Sequence, residues 1–256
     1  MSSLIITQIK KIPLIKEGDK LSHIIYHALL AQNIQLEDGD ILGVTSKIVS
    51  KAEGRLVNLK TITPSAKAKR LSKRIGRDPR LVELILSETR EIIRATKNAF
   101  IVEHNLGFIC ANAGIDHSNV QSGSSESEDW YLLLPKNPDH SAQIISDELN
   151  LLTQKCVGVI IIDSHGRPWR LGIVGTVIGT YLVPTLVDLR GKEDIFGYKL
   201  RITMVGAADE LAASASLMMG QANERVPVVH IRGFPYPLAQ SSIKDVLRPK
   251  KMDLFR

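Results

Sequence analysis

The 256-residue chain predicts an α/β (α+β) fold, mixed sheets with flanking helices, on three observations. Short β-rich apolar runs recur along it, the most apolar being Val157–Ile162 (VGVIII), whose unbroken apolarity implies burial on both faces of a rigid sheet. Between such runs, apolar residues return at helical spacing, as at Leu21, Ile24, Ile25, Ala28 and Leu29. Finally, neither a G-x-x-x-x-G-K-[ST] phosphate loop nor a dinucleotide fingerprint occurs, so the pattern is neither a P-loop nor a Rossmann scaffold.

Taken in order, Leu4–Ile9 reads as a first strand, ended by Pro13 and a turn at Gly18. Asp19 is the expected cap of the helix from Leu21. The turn Glu37-Asp38-Gly39-Asp40 launches a strand, Ile41–Thr45, which is read as running on into SKIVSKAEGR. Thr63-Pro64 predicts a helix start and Gly76 its end, and Asp78-Pro79 opens a further helix. Glu91–Arg94 and Phe100–Glu103 read as strands, with Asn105-Leu106-Gly107 turning the second back as a hairpin. Asp139 is the expected cap of a helix to about Gln154 with Ile144, Ile145, Leu149 and Leu152 inward. Gly172, Gly175 and Gly179 suggest close backbone approach to a ligand. Ala207–Met219 reads as a helix with Leu211, Ser214, Ala215 and Met218 in the core, and Val226–Ile231 as the last strand before a frayed basic tail.

Composition fits an enzyme without naming one. Hydrophobic content of 44% with 23% charged residues is ordinary for a globular protein. A formal charge of +6 suits an anionic small molecule as well as nucleic acid, while 5% aromatics argues against a base-stacking surface. Cys110 and Cys156 both sit in apolar runs and read as buried thiols in a reducing compartment. With no signal-peptide pattern and no membrane-length apolar run, the expected location is cytoplasmic.

Chemistry concentrates at two predicted strand ends. The run Phe108–Ala111 breaks into Asn112, Gly114, Asp116, His117, Ser118 and Asn119, either a self-satisfied Asx-type turn or a ligand loop. VGVIII delivers Asp163 and Ser164, followed by Arg167 and Arg170. Asp116 and Asp163 as oxygen ligands beside two arginines suit a divalent metal and a phosphate. Ser46, Lys47, Ser50 and Lys51 form either a solvated strand face or a phosphate contact. Lys67, Lys69, Arg70, Lys73, Arg74 and Arg77 form the most basic stretch, a solvated helix face or a nucleic-acid contact. The Ser/Glu-rich segment 121–129 reads as a surface loop, a lid or a partner contact.

IPLIKEGD, TSKIVSKAEGR, ANAGIDHSNV, DSHGRPWRLG, DLRGKEDIFG and ADELAASASLMMGQ occur in the order of one family. From about Ile12 to Gly233 the chain resembles coenzyme F420-0:L-glutamate ligases, which add glutamates to the deazaflavin coenzyme F420. The resemblance implies an F420 ligase-like fold, a single catalytic unit over residues 1–256 or the same unit in two lobes, and no C-terminal flavin-binding domain. It implies GTP contacts at Ile12, Pro13, Leu14, Ile15, Ser46, Lys47, Lys51 and Asn119. A second nucleotide-contacting loop corresponds to Met219, Gly220, Gln221, Ala222, Asn223, Glu224, Arg225 and Val226. Asp116, Asp163, Ser164 and Gln221 correspond to ligands of a divalent cation, magnesium or manganese, with potassium a further candidate ion.

The reaction so implied activates a carboxylate as an acyl phosphate, which the amine of L-glutamate then attacks. Asp116, Asp163, Arg167 and Arg170 are the expected catalytic residues, and the acceptor is the deazaflavin phospholactate F420-0. A homodimer with no nucleic acid or membrane partner is implied as well. His165 stands where threonine, asparagine or phenylalanine is more familiar, and Leu171–Val174 replaces a frequent G-Q-containing run. Those departures leave room for another carboxylate acceptor on the same fold. A basic nucleic-acid module built on residues 67–77 is the remaining alternative.

Overall fold

The computed structural model describes residues 3–120 and 129–254. Strand β1 (Ile5–Ile9) leads to helix α1 (Leu21–Leu30), and β2 (Ile41–Thr45) runs directly into α2 (Ser46–Ala52). Strand β3 (Leu56–Asn58) precedes α3 (Ala66–Ile75), α4 (Pro79–Ser87), β4 (Thr89–Ala95), β5 (Phe100–His104) and β6 (Ile109–Ala111). After β7 (Trp130–Leu132) and α5 (Pro138–Thr153) comes the long hairpin of β8 (Gly158–Arg167) and β9 (Arg170–Tyr181). The short pair β10 (Val187–Asp188) and β11 (Met204–Val205), helix α6 (Ala207–Met219) and strand β12 (Val228–Arg232) follow. The fold is α+β, as the sequence predicts. Among the described residues no helix is long and apolar enough to cross a membrane.

The main sheet has the order β1-β12-β2-β8-β9. Only β2 and β8 pair in parallel, from Ile41 opposite Gly158 to Thr45 opposite Ile162. Parallel neighbours end at the same edge, so the exit of β2 into α2 lies beside Asp163. Both faces of the sheet are covered, as VGVIII requires. On one face Leu42, Val44, Val159, Ile161 and Ile178 pack with Ile25 and Leu29 of α1 and Ile145 and Leu149 of α5. On the other, Ile41, Ile160, Ile162, Val177 and Val229 meet Ala208, Leu211, Ala212 and Ala215 of α6. Each fully buried Leu or Ile contributes roughly 1.5–3 kcal/mol. A separate small core joins α3 and α4 to the β4-β5-β6 sheet through Ala68, Ile75, Val82, Ile85, Phe100 and Val102, and includes Ala113.

Several local expectations change. Ser46–Ala52 is a helix, not a strand continuation, so Lys47 and Lys51 share a helix face at i and i+4. Helix α1 begins after Lys20 without a side-chain cap, and Asp19 instead accepts from the Lys16 N–H at 2.7 Å. Ser65 rather than Thr63 caps α3, while Gly76 ends it in the left-handed conformation at φ 69°. Asn137 caps α5, which frees the Asp139 carboxylate to accept from the Thr180 N–H and from Ser242 Oγ. Through that contact, and through Lys250 to Glu91 at 2.5 Å, the C-terminal tail is docked rather than frayed. Ile144 and Met218 are turned outward, Ala212 and Met219 taking the inner positions on α6. The last strand starts at Val228, and Cys156 is exposed.

Two of the three β9 glycines admit helices rather than a ligand. A methyl group at Gly175 would stand 2.6 Å from the carbonyl oxygen of Ala212, and one at Gly179 would stand 2.4 Å from the Pro138 carbonyl carbon. The expected loop at 121–129 lies outside the described residues apart from Asp129, which pairs with Lys60 at 3.4 Å.

Candidate active site

Four segments distant in sequence meet at the edge of the main sheet. Helix α2 supplies Ser46, Lys47 and Lys51; the loop after β6 supplies Asp116, Ser118 and Asn119; β8 supplies Asp163 and Ser164; the turn after α6 supplies Gln221 and Ala222. Their placement follows from the backbone. Thr45 is still extended (φ −69°, ψ 140°), and the chain turns helical at Ser46, beside the last residues of β8. Asn112, Ala113 and Asn119 take positive φ values near 55°, which turn the loop after β6 back on itself. The Asp116 backbone then pairs in both directions with Leu132 at 2.9 Å, anchoring the loop to β7.

A closed circuit of polar contacts links the four. Ser46 Oγ donates to Asp163 Oδ1 at 2.8 Å. Lys47 Nζ reaches Asp116 Oδ2 at 2.8 Å and Ser118 Oγ at 3.0 Å. Lys51 Nζ donates to the Asn119 carbonyl at 2.7 Å, and Asn119 Nδ2 donates to the Ala222 carbonyl at 2.9 Å. Ser164 Oγ, donating to Gln221 Oε1 at 2.9 Å, closes the circuit on β8. Asp116 also receives the His117 and Ser118 N–H groups on Oδ1, so the loop is an Asx-type turn as well as an acid site.

Alternation along β8 sends Asp163 and Ser164 to opposite faces of the sheet. Asp163 turns towards α2 and Ser164 towards Gln221. Ser46, Lys47, Ser50, Gly114, Asp116 and Asp163 line one crevice. Burial pushes the Lys51 ammonium below its usual pKa, and the neighbouring Lys47 charge adds to that shift. An anion entering beside these two lysines would relieve their mutual repulsion. Cys110, close to the Asp163 charge, is pushed up to about 12, first by burial and then by that carboxylate, so it is no nucleophile.

The remaining expected residues lie further out. Ile12, Pro13, Leu14 and Ile15 lie in the loop before α1, with Ile15 buried and Leu14 exposed; the Gly18 N–H, donating to Ala52 O at 2.9 Å, ties that loop to the end of α2. Met219 and Val226 are buried, flanking the exposed Gln221, Asn223, Glu224 and Arg225. At Gly220 φ is 76°, and the Glu224 carboxylate accepts the Ala222 N–H, shaping the turn. Arg167 and Arg170 are not brought to the crevice. They sit at the exposed end of the β8–β9 hairpin, about 13 Å along the strand from Asp163 at ~3.3 Å per residue, and Arg167 donates to the Leu171 carbonyl.

Two partners escape a sequence reading. Lys47 as the counter-ion of Asp116 becomes visible only once α2 is known to be a helix. His165 lies with Nε2 3.0 Å from Asp163 Oδ2, its ring tilted against Phe108. The only sequence signal for it was its departure from the residue types expected after Asp-Ser. Among the described residues no three His, Cys, Asp or Glu side chains gather closely enough to hold a metal by themselves. A divalent ion in the crevice would draw on Asp116 and Asp163, completed by phosphate or water, while Ser164 and Gln221 offer oxygens on the other face of β8.

Comparison with known proteins gives the family of the chain. The model of the F420-0:Gamma-glutamyl ligase family matches residues 9–233. The chain is 43% identical over 246 residues to "Coenzyme F420:L-glutamate ligase" of Methanocaldococcus jannaschii, covering 96% of this chain and 94% of that one. Against the protein of the same name from Methanothermobacter thermautotrophicus the identity is 44% over 250 residues, 97% of each chain. With that of Methanopyrus kandleri it is 41% over 263 residues, spanning both chains in full.

Proposed function

The chain belongs to the F420-0:gamma-glutamyl ligase family, and from that premise we propose that it joins L-glutamate to the deazaflavin phospholactate F420-0 with GTP as phosphoryl donor. The observation that carries this reading is the closed circuit of α2, the Asp116 loop, Asp163-Ser164 and the Gln221 turn. It sets Lys47, Asp116 and Asp163 around one crevice, with Lys51 one helical turn further along α2 on the Asn119 carbonyl. A carboxylate is a poor electrophile toward an amine and must first be activated. Its oxygen attacks the γ-phosphate, the bond to the β-phosphate breaks, and GDP leaves an acyl phosphate. The free amine of L-glutamate then attacks the acyl carbon, releasing phosphate and leaving an amide.

Each residue of the circuit has a physical role in that scheme. Bringing a carboxylate to a triphosphate sets like charges against each other. Lys47 and Lys51 offset that repulsion, and Asn119 and the Gly220–Ala222 backbone hold the nucleotide between two loops already joined at 2.9 Å. Ser46 fixes the Asp163 carboxylate from one side. Asp116 and Asp163 would hold Mg2+ or Mn2+ in the crevice, with Ser164 and Gln221 contributing from the far face of β8. When bound, such an ion neutralises phosphate charge in the transition state. The exposed arginines of the β8–β9 hairpin act, in this scheme, on anionic groups outside the crevice.

Given GTP, a divalent cation, L-glutamate and F420-0, the protein is expected to release GDP and phosphate and to form an acceptor heavier by one glutamyl unit. Phosphate release should depend on acceptor and amine together, because the acyl phosphate lies between them. Mass spectrometry and phosphate assay report both. Hydrolysis without a glutamyl adduct would remove F420-0 as acceptor in favour of another carboxylate on the same fold.

A binding experiment separates the lysines. Lys51→Ala should weaken GTP binding by about 1.5–3 kcal/mol, the range of a charge-assisted hydrogen bond and its loss. Lys67→Ala, on the exposed face of α3, should change it by less than about 0.5 kcal/mol. Calorimetry giving equal losses for the two would reduce Lys51 to a general surface charge.

A further inference from the structure

The loop that carries Asp116 leaves β6 through a corner of uncommon backbone. Asn112, Ala113 and Gly114 take φ values of 54°, 54° and 63° in succession. Residues with a side chain seldom adopt that left-handed region, and such a run persists only where the surroundings impose it. Glycine is required at 114 on a second count, since a methyl group there would stand 2.5 Å from Leu134 Cδ1. Asn112 tolerates the conformation better than most residues, but Ala113 does not. Ala113 is fully buried in the small core of α3, α4 and the β4-β5-β6 sheet, which holds the corner from one side.

Arg77 holds it from the other. Helix α3 ends at Gly76, beyond which the Arg77 N–H donates to the Ser72 carbonyl at 3.4 Å and Ser72 Oγ donates to the Arg77 carbonyl at 2.6 Å. With its backbone fixed in this way, Arg77 leaves the exposed row of Lys67, Lys69, Arg70, Lys73 and Arg74 and is half-buried. Its Nη1 donates to Asn112 Oδ1 at 2.5 Å, and it makes no ion pair among the described residues. Downstream of the corner the chain is closely tied. The Ile115 N–H donates to the Asn112 carbonyl at 3.1 Å, the Asp116 N–H to the Leu132 carbonyl at 2.9 Å, and the His117 and Ser118 N–H groups to Asp116 Oδ1. A change of direction at Asn112 therefore moves Asp116, which meets Lys47, and Asn119, which meets Lys51 and the Ala222 carbonyl.

We propose that Arg77 is a positioning residue for the crevice: from the end of α3 it locks Asn112 and thereby sets Asp116 and Asn119 against α2. The inference rests on the ligase reading for the part that Asp116 and Asn119 play in turnover, and not for the lock itself. A misplacement of about 1 Å can cost on the order of a hundredfold in rate, so a contact outside the crevice can govern the chemistry within it.

Hydrogen–deuterium exchange on the full chain tests the lock without turnover. The amides of residues 115–118 and of Leu132 are all bonded in the closed loop, so their exchange reports its opening. Arg77→Met should speed exchange there by about tenfold or more while α3 and α4 keep wild-type rates. It should lower kcat/KM for GTP by about ten- to a hundredfold. Arg77→Lys, which keeps a donor, should recover most of both, and Arg74→Met, on the exposed face of α3, should change neither. Asn112→Gly accepts the positive φ without strain but removes Oδ1, so it tests the same bond from the loop side even where Arg77→Met folds poorly. On that background Arg77→Met should add nothing. Faster exchange confined to α3 and α4, no recovery with lysine, or a further loss in the double variant would each overturn the lock. If Arg77→Met loosens the loop of a protein that forms no glutamyl adduct, the ligase reading falls and the lock stands. Normal adduct formation by an Arg77→Met protein with wild-type exchange would do the reverse.

Discussion

Asp163→Asn is expected to lower GTP-dependent turnover by roughly 10²–10⁴-fold at subsaturating metal, with the fold unchanged. The substitution keeps the shape of the side chain, and its amide oxygen can still accept from Ser46 Oγ. It removes the anionic oxygen that faces His165. A metal contributes several kcal/mol to a phosphoryl-transfer transition state, and each 1.36 kcal/mol is a factor of ten in rate. Asp116→Asn should act in the same direction, with the added loss of the Lys47 ion pair at 2.8 Å. The measurement is phosphate release against Mn2+ concentration, beside circular dichroism of each variant. Wild-type rates in both at low metal would show that neither carboxylate serves an ion.

The largest effect on stability is expected at Asp40, far from the crevice. Its carboxylate is 1% exposed and accepts from His230 Nε2 at 2.8 Å, from Arg232 at 2.9 and 2.7 Å, and from the Glu37 N–H at 2.8 Å. These contacts clamp the start of β2 to β12. Asp40→Ala leaves the buried His230 ring without its acceptor and Arg232 with Glu37 alone, at 2.7 Å, and should cost about 1–3 kcal/mol, the range for leaving a buried polar group unpaired. Burial alone would raise the Asp40 pKa. Hydrogen bonds from Arg232 and His230 outweigh it and hold the carboxyl well below the usual carboxylate range. A depressed folded-state pKa gives stability that is present above the unfolded value near 3.8 and lost as pH falls towards the folded one. The wild-type melting temperature should therefore drop steeply below about pH 4, and that of Asp40→Ala less so. Parallel profiles for the two proteins would show that Asp40 is not the titrating clamp.

The long-period features of the chain were legible in the sequence, and the junctions were not. VGVIII named the doubly covered β8, Gly76 the left-handed end of α3, and Asn105–Gly107 the β5–β6 hairpin, because each signal is local and steric. SKIVSKA misled because Ile48 and Val49 favour strands as isolated residues. In place they are the inward face of a helix whose outward lysines meet the Asp116 loop. Asp19, Thr63 and Asp139 were reasonable caps by residue type. Which of several adjacent polar groups closes a helix depends on contacts far along the chain, as Asp139 shows by serving Thr180 and Ser242 instead. The glycines of β9 announced close approach correctly, but nothing local tells a helix from a ligand as the thing approached. The convergence of Ser46, Lys47, Lys51, Asp116, Asn119, Asp163, Ser164 and Gln221 is a property of strand order. Their individual chemistry was readable, and their meeting was not.

The polar circuit also constrains when the protein can begin to work. Its contacts join residues 117, 71, 68, 103 and 57 positions apart. The chain emerges from the ribosome in order, so Lys51 and Asn119 can meet long before Gln221 and Ala222 exist. The last loop of the crevice is supplied only when most of the polypeptide has been made, and β12 must still slot between β1 and β2. Such distant pairings bear the entropy of closing long loops and form late. A nascent chain therefore lacks the complete crevice until the end of synthesis. The nucleotide proposed for this crevice would stabilise the finished protein by mass action, but it could not template the earlier steps through a site that does not yet exist.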